Sequence, residues 1–141
     1  DICYFQCACF HEARLWQKAL SKLVELKQLL IKEDKNSPTR LDHYALYAYL
    51  QGSTLKELKQ TAKAEKALNE SIRMIDSVKQ EKASCIFAMV TLAELFLEMD
   101  HPNMNQALKW LKKAKAQSDY DFENLLTVRI NRGLDQVKKI K

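Results

Sequence analysis

The chain has 141 residues, of which 47% are hydrophobic and 29% are charged, and its formal net charge at pH 7 is +5. These proportions exclude an intrinsically disordered chain and are typical of one globular domain with its own core. No apolar run reaches the roughly 20 residues that a membrane-spanning helix needs, and the scarcity of turn-forming residues, two glycines and two prolines, favours long helices.

The apolar residues recur with a helical period along the whole chain, and no segment alternates as a strand does. We predict an all-α protein with seven helices. They cover about 2–12, 15–33, 39–59, 61–78, 81–99, 103–116 and 122–140. Taken in pairs, they give three antiparallel hairpins and a C-terminal capping helix in a single domain. The hairpins cover about 2–33, 39–78 and 81–117, and the capping helix covers about 121–140.

Several details follow from the same periodicity. Ser37 and Pro38 are typical of a helix N-cap and first residue, and Asp121 suits the cap of the last helix. The residues that we expect to face inward from the second helix are Leu20, Leu23, Val24, Leu26 and Leu30. From the last helix, we expect Phe122, Leu126, Ile130 and Leu134 to be buried and Arg132, Asp135 and Lys139 to face water.

Small residues recur at matched places in the three hairpins. Cys7 precedes Ala19 by 12 residues, Gly52 precedes Ala64 by 12, and Ala93 precedes Ala107 by 14. Small side chains at both places let two helix backbones approach closely. This is the packing expected of a helix-turn-helix repeat whose units bury surface against each other.

This spacing resembles that of the tetratricopeptide repeat, although the alanine-to-alanine periods of 45 and 43 residues exceed those of the standard repeat. The segments "CYFQCACFHEARLWQKA" and "LQGSTLKELKQTAKAEKAL" are also similar to hairpins of the tetratricopeptide-repeat protein 39 family. Members of that family are several times longer, so the chain is expected to be a fragment or a shortened relative. The resemblance implies a right-handed superhelix and an intracellular adaptor without a catalytic motif, and a fungal branch is associated with lipid droplets.

The first cysteines raise a question of chemistry. Cys3, Cys7 and His11 are spaced four residues apart and fall on one helical stripe, which could hold a metal or a reactive thiol. A fourth ligand and a Cys-x-x-Cys pair are missing, and the repeat places Cys7 at a close helix contact. We therefore favour packing, and expect no metal, no cofactor and no catalytic activity.

The repeat resemblance places the first helix of each hairpin along a concave groove. The groove residues that we expect to contact a partner protein are Tyr4, His11, Tyr49, Ser53, Lys56 and Glu94. The Lys and Asn clamp of chaperone-binding repeats is absent from the matching positions. Packing of these residues against other helices of a longer parent chain stays open as an alternative.

The excess of basic over acidic residues lies entirely within the last 40 residues. Lysines that could contact an anionic membrane or a lipid-droplet surface are Lys109, Lys112, Lys113 and Lys115. Too few arginines and aromatic residues accompany them for specific nucleic-acid binding. We expect a protein-binding scaffold in the cytoplasm or nucleus, whose first helix is covered by upstream sequence or by a second copy of the chain.

Overall fold

The computed structural model describes residues 14–33, 39–118 and 123–140, together with Gln6, Cys9, His11, Ser37 and Tyr120. Across these residues the secondary structure is helical, with turns and no strand, which confirms the predicted all-α class. The six helices with defined bounds are α1 (Trp16–Lys32), α2 (Arg40–Glu57), α3 (Thr61–Arg73), α4 (Lys82–Glu98), α5 (Met104–Lys115) and α6 (Glu123–Ile140). The predicted helix over 2–12 lies mostly outside the described residues.

Each helix packs against the next one along the chain, as expected for stacked hairpins. Only three residues, 58–60, connect α2 to α3, and so short a link makes the two helices antiparallel. In addition, α2 contacts α4, and α4 contacts α6. The helices α2, α4 and α6 therefore lie side by side in one layer, which we name the inner layer.

Helix α4 lies at the centre of the molecule. It packs against α2, α3, α5 and α6, and twelve of its 17 residues are buried. A helix surrounded in this way must be apolar on nearly every face, which explains the run "CIFAMVTLAELFL". Among the described residues no helix is both long and apolar enough to cross a membrane.

The small residues mark close helix contacts, as predicted. The alanines Ala19, Ala64, Ala93 and Ala107 have no exposed surface. A Cβ atom built on Gly52 would lie 2.6 Å from Leu68 Cγ, so that α2 and α3 approach too closely there for any side chain. Cys7, the remaining member of the predicted set, lies outside the described residues.

Three details of the prediction are wrong. Val24 is 61% exposed, because Leu23, Leu26 and Leu30 already form the buried stripe of α1. Helix α2 begins at Arg40, and Ser37 does not cap it, since the Ser37 hydroxyl donates to Glu33 Oε1 at 3.3 Å.

The third correction concerns α3, which ends at Arg73 and not near Val78. The chain leaves the helix there through tighter hydrogen bonds, in which the N–H groups of Met74 and Ile75 donate to the carbonyls of Ser71 and Ile72. The apolar Ile75 and Val78 continue the helical pattern in sequence, although Ile75 lies in a turn and Val78 in the irregular segment that follows it.

The capping helix agrees with its prediction where it is described. Leu126 and Ile130 are buried, and Val137 joins them two turns further on. Leu134 is half-buried, and Arg132, Asp135 and Lys139 are exposed as expected. Phe122 and Asp121 lie outside the described residues.

Candidate functional site

Four ring side chains form a chain of contacts from the start of α1 to the inner layer. The His11 ring centroid lies 5.0 Å from that of Trp16 and 6.3 Å from that of Tyr49, and Tyr49 lies 5.7 Å from Phe87. All four residues are half-buried. We name His11, Trp16, Tyr49 and Phe87 the aromatic strip, since they form a continuous, partly exposed band from the start of α1 over α2 to α4.

Hydrogen bonds connect the strip to polar side chains of α2. His11 Nε2 lies 2.7 Å from Ser53 Oγ, and Ser53 is buried. Burial raises the pKa of the Tyr49 hydroxyl, and this effect outweighs the nearby Arg129 charge and a hydrogen bond with Ser53, both of which lower it. The Tyr49 hydroxyl therefore stays protonated at neutral pH and serves as a hydrogen-bonding group.

Arg129 of α6 closes the far end of the strip. Its guanidinium carbon lies 5.8 Å from the Phe87 ring centroid, and its Nη2 donates to Glu94 and, at 3.4 Å, to Thr91 Oγ1. Burial lowers the pKa of Arg129, but pairing with Glu94 raises it by more, so the net shift is upward. A charged Arg129 thus holds the capping helix against α4.

Lys56 forms a second ion pair between α2 and α4. It is only 8% exposed, and its Nζ lies 3.0 Å from Glu98 Oε2 and 3.3 Å from Glu57 Oε1. Burial lowers the pKa of Lys56, whereas the hydrogen bond and charge of Glu98 raise it, and the net shift is upward. Removal of Glu98 is costly because it leaves the charge of Lys56 desolvated, whereas Glu98 itself is 52% exposed.

The structure places five of the six predicted groove residues together. Tyr49, Ser53 and Lys56 lie on α2, Glu94 lies on α4, and His11 contacts Tyr49 and Ser53. The sixth, Tyr4, lies outside the described residues.

The five differ in what they offer to a partner. Ser53 and Lys56 are buried, while His11, Tyr49 and Glu94 keep exposed surface. A cleft of about 410 Å³ opens next to His11 and Trp16, between Arg14 and Glu57.

Two members of this site escaped the sequence analysis. Arg129 follows Leu126 by three residues and precedes Ile130, so that it lies beside the buried stripe of α6. A cation in that place is a signal for a buried acidic partner on the next helix. Phe87 gave no comparable signal, because it lies within the uniformly apolar α4.

The lysines Lys109, Lys112, Lys113 and Lys115 are all exposed on α5. That helix carries no acidic residue. Lys109 Nζ and Lys113 Nζ lie 4.9 Å and 5.3 Å from the ring centroid of Trp110, which is half-buried between them. The result is a basic surface with an indole ring at its middle.

The cysteine stripe is described only at His11, since Cys3 and Cys7 lie outside the described residues. Within the part of the chain that the structure describes, no group of three or more His, Cys, Asp or Glu side chains could hold a metal ion. The buried Cys85 is protonated, because burial raises the pKa of its thiol to about 11.

No protein-family model, curated protein sequence or solved structure matches the chain. The likeness to the tetratricopeptide repeat therefore stays a prediction from the sequence, and the geometry of the aromatic strip carries the functional proposal.

Proposed function

We propose that the chain is a non-catalytic scaffold that binds a peptide or a helical surface of a partner protein along the aromatic strip. The observation that carries this proposal is the continuous contact of His11, Trp16, Tyr49 and Phe87, all of them half-buried. Rings fixed by their neighbours offer large contact area and lose little conformational entropy on binding.

The ionisable groups around the strip favour binding over catalysis. A general acid or base works best with a pKa near the working pH. The pKa shifts of Tyr49, Lys56 and Arg129 all run upward, away from neutrality. These groups therefore keep one protonation state and act as fixed hydrogen-bonding groups.

The dimensions of the inner layer suit a short segment. Packed helices lie roughly 8–10 Å apart, so the distance from α2 across α4 to α6 is roughly 20 Å. An extended peptide of roughly six residues covers that length. Its apolar side chains would contact the rings, and its backbone or a basic side chain would meet His11 and Glu94.

Affinity capture of partner proteins tests the proposal, with the whole chain as bait. We expect Tyr49→Ala to lower partner recovery at least about tenfold, as loss of a central aromatic contact does. Tyr120→Ala is the matched control, since Tyr120 is also half-buried but packs between α5 and α6, at a distance from the strip.

A second variant separates binding from folding. Tyr49→Phe keeps the ring and its packing, so its circular dichroism should match that of the parent chain, and it should recover more of the partner than Tyr49→Ala does. Equal recovery with Tyr49→Ala and with the parent chain would remove the strip as the binding surface. The scaffold is proposed for a cytoplasmic or nuclear setting, in which its cysteines stay reduced.

A second candidate function is contact with an anionic membrane or lipid-droplet surface through Lys109, Lys112, Lys113 and Lys115. The observation in its favour is Trp110 between two of these lysines, because tryptophan favours the interface between water and lipid. Each lysine near an anionic surface contributes roughly 1 kcal/mol.

Sedimentation with phosphatidylserine vesicles tests this alternative. We expect Lys112→Glu with Lys113→Glu to abolish sedimentation, and the control pair Lys63→Glu with Lys66→Glu on the exposed side of α3 to leave it unchanged. Equal sedimentation of both double variants would contradict a specific role for α5.

A further inference from the structure

A second cleft lies away from the aromatic strip, where α2 begins and the chain passes from α3 towards α4. Its volume is about 530 Å³. Arg40 and Lys79 contribute cations to its lining, and Ser37 and Ser77 contribute hydroxyl groups. Apolar surface is also present, from Met74 and from Leu41, which is 45% exposed.

Arg40, which lines this cleft, has a donor without a partner in its guanidinium. Its Nε is buried from solvent and has no hydrogen-bond partner among the described residues. The guanidinium carbon lies 5.5 Å from the centroid of the Tyr44 ring, which also lines the cleft. A buried donor without an acceptor is rare and costs free energy, so an acceptor from outside the chain would be favoured at this place.

The nearby carboxylates are already engaged by other groups. Glu33 accepts hydrogen bonds from the hydroxyls of Ser37 and Thr39 and lies 3.0 Å from His43 Nδ1.

Asp42, in the first turn of α2, accepts from the backbone N–H groups of Lys79, Gln80 and Glu81 at 2.9–3.2 Å. Neither carboxylate forms an ion pair with the side chain of Arg40 or Lys79 within the described residues. Both cations are therefore available to an anion.

We propose that this cleft binds a phosphate monoester, carried on a phosphoserine of a partner protein. Among the described residues, three donor groups of the cleft have no carboxylate partner, and they belong to Arg40, Lys79 and Ser77. A carboxylate has two oxygens, whereas a phosphate monoester has three terminal oxygens and nearly two negative charges at pH 7. Guanidinium and ammonium donors suit that group well.

The apolar lining favours a peptide over free phosphate. Leu41 and Met74 can contact a hydrophobic side chain next to the phosphoserine, and burial of such a side chain adds affinity that inorganic phosphate lacks. The inference rests on the proposed function, since it gives the partner protein a second contact. It uses residues that are separate from the aromatic strip, so either site can fail without the other.

Calorimetric titration with acetyl-Leu-phosphoserine-Leu-amide at constant ionic strength tests the inference. We expect saturable binding to the whole chain, and no binding of the unphosphorylated tripeptide. Arg40→Gln and Lys79→Gln should each weaken binding at least about tenfold, in keeping with loss of a charge-assisted hydrogen bond. Lys66→Gln on α3 is the control and should change affinity less than about twofold.

Two further variants distinguish loss of binding from loss of folding, and this cleft from the aromatic strip. Ser77 is exposed, so Ser77→Asp should fold normally and lose binding through charge repulsion in the cleft, even if Arg40→Gln proves unstable. Tyr49→Ala should leave the affinity for the tripeptide unchanged, which distinguishes this cleft from the aromatic strip.

Several outcomes would overturn the inference. They are absence of saturable binding, equal affinity for the unphosphorylated tripeptide, and full affinity in both Arg40→Gln and Ser77→Asp. Sedimentation with phosphatidic acid vesicles tests whether the cleft binds a lipid headgroup instead. Sedimentation that depends on Arg40, together with no binding of the tripeptide, would assign the cleft to a lipid headgroup and overturn the phosphoserine proposal.

Discussion

The two glycines of the chain both lie at helix contacts, but they differ in what surrounds them. A Cβ on Gly52 would lie 2.6 Å from Leu68 Cγ and 3.1 Å from the Leu68 backbone nitrogen. A Cβ on Gly133 would meet only side-chain atoms of Leu111, at 3.0 Å. The end of a leucine side chain can turn aside, whereas a helix backbone cannot, so Gly52 is the less tolerant position.

We predict that Gly52→Ala destabilises the protein by about 1–2 kcal/mol. Overpacking of a core contact costs about 1–3 kcal/mol, and the cost should be in the upper part of that range here because a backbone atom is contacted. The gain in helix propensity returns only about 1 kcal/mol. Gly133→Ala is the matched control and should change the free energy of unfolding by less than about 1 kcal/mol. Urea unfolding followed by circular dichroism measures both, and a Gly52→Ala variant as stable as the parent chain would contradict the close contact.

Glu33 gives the stability a dependence on pH. Burial raises the pKa of its carboxyl, but His43, Thr39 and Ser37 together lower it by more, so that it lies below the ordinary value of 4.5. A carboxyl whose pKa is lower in the folded state stabilises the fold above its unfolded pKa. That contribution disappears as the pH falls through the folded pKa.

We therefore predict that Glu33→Gln lowers stability at pH 6 by about 1 kcal/mol or less, since its ion pair with His43 is partly exposed and screened by solvent. The difference from the parent chain should shrink as the pH falls below 4.5. Urea midpoints between pH 3 and pH 6 measure this, with Glu70→Gln on α3 as the control. A difference that stays constant over this range would mean that the carboxylate contributes nothing as a charge.

At the scale of the element, the sequence predicts the helices better than their ends. The apolar period locates α2, α4, α5 and α6 to within a few residues. Asn103 is the N-cap of α5, as its place after the break in the helical pattern indicates. Its Oδ1 accepts a hydrogen bond from the N–H of Gln106 at 3.2 Å. The end of α3 is different, because Ile75 and Val78 keep the helical pattern although they lie beyond the helix. Whether such a segment continues a helix or leaves it depends on its tertiary contacts and not on the sequence pattern.

Asp42 links α2 to the start of α4 in a way that no periodicity reveals. Its Oδ1 accepts three backbone N–H groups from the residues just before α4, and its side chain is buried. One carboxylate thus satisfies donors at a helix start that would otherwise lack partners.

We predict that Asp42→Ala destabilises the protein by about 2–4 kcal/mol, because three partly buried amide groups lose a charged acceptor. Asp42→Asn keeps an oxygen acceptor and should cost less. Asp135→Ala, on the exposed face of α6, is the control and should change stability by less than about 0.5 kcal/mol. The measurement is the urea midpoint, and equal stability of Asp42→Ala and Asp135→Ala would contradict this role.

The candidate sites, like the helices, could be predicted from the sequence only in part. Four of the six predicted groove residues come together because they follow the helical period of α2 and α4, and His11 joins them through its contacts with Tyr49 and Ser53.

The position of Arg129 beside the buried stripe of α6 is a signal for an acidic partner, but neither the identity of that partner nor the Arg40 cleft could be predicted. Both join side chains from separate helices and turns, such as Ser37 with Ser77. Their proximity depends on how the hairpins stack, and one sequence carries no pattern for that contact.

At the scale of the whole molecule, the described residues form two hydrophobic clusters of unequal size. The larger extends from α2 to α6, and the smaller consists of buried residues of α1 and α2. Leu20 and Tyr49 pack against both clusters. Since α1 contacts no described helix other than α2, it has the least support in the stack.

We predict that α1 unfolds before the centre of the molecule. Trp16 lies in α1 and Trp110 in α5, so Trp110→Phe and Trp16→Phe each leave one fluorescent reporter. The Trp16 signal should have the lower urea midpoint, by roughly 0.3–1 M if α1 is less stable by about 1 kcal/mol. Urea unfolding of both variants, followed by circular dichroism, is the control that their overall stability is equal. Coincident midpoints would instead indicate one cooperative unit.

The central place of α4 also matters during synthesis of the chain. Ribosomes add roughly 5–20 residues per second, and α4 is complete long before α6, which covers one of its sides and ends at Ile140. For a few seconds, the apolar residues of α4 that α6 will later bury are therefore exposed. The nascent chain is therefore expected to need a chaperone at this stage, and a stop codon before α6 would make that exposure permanent.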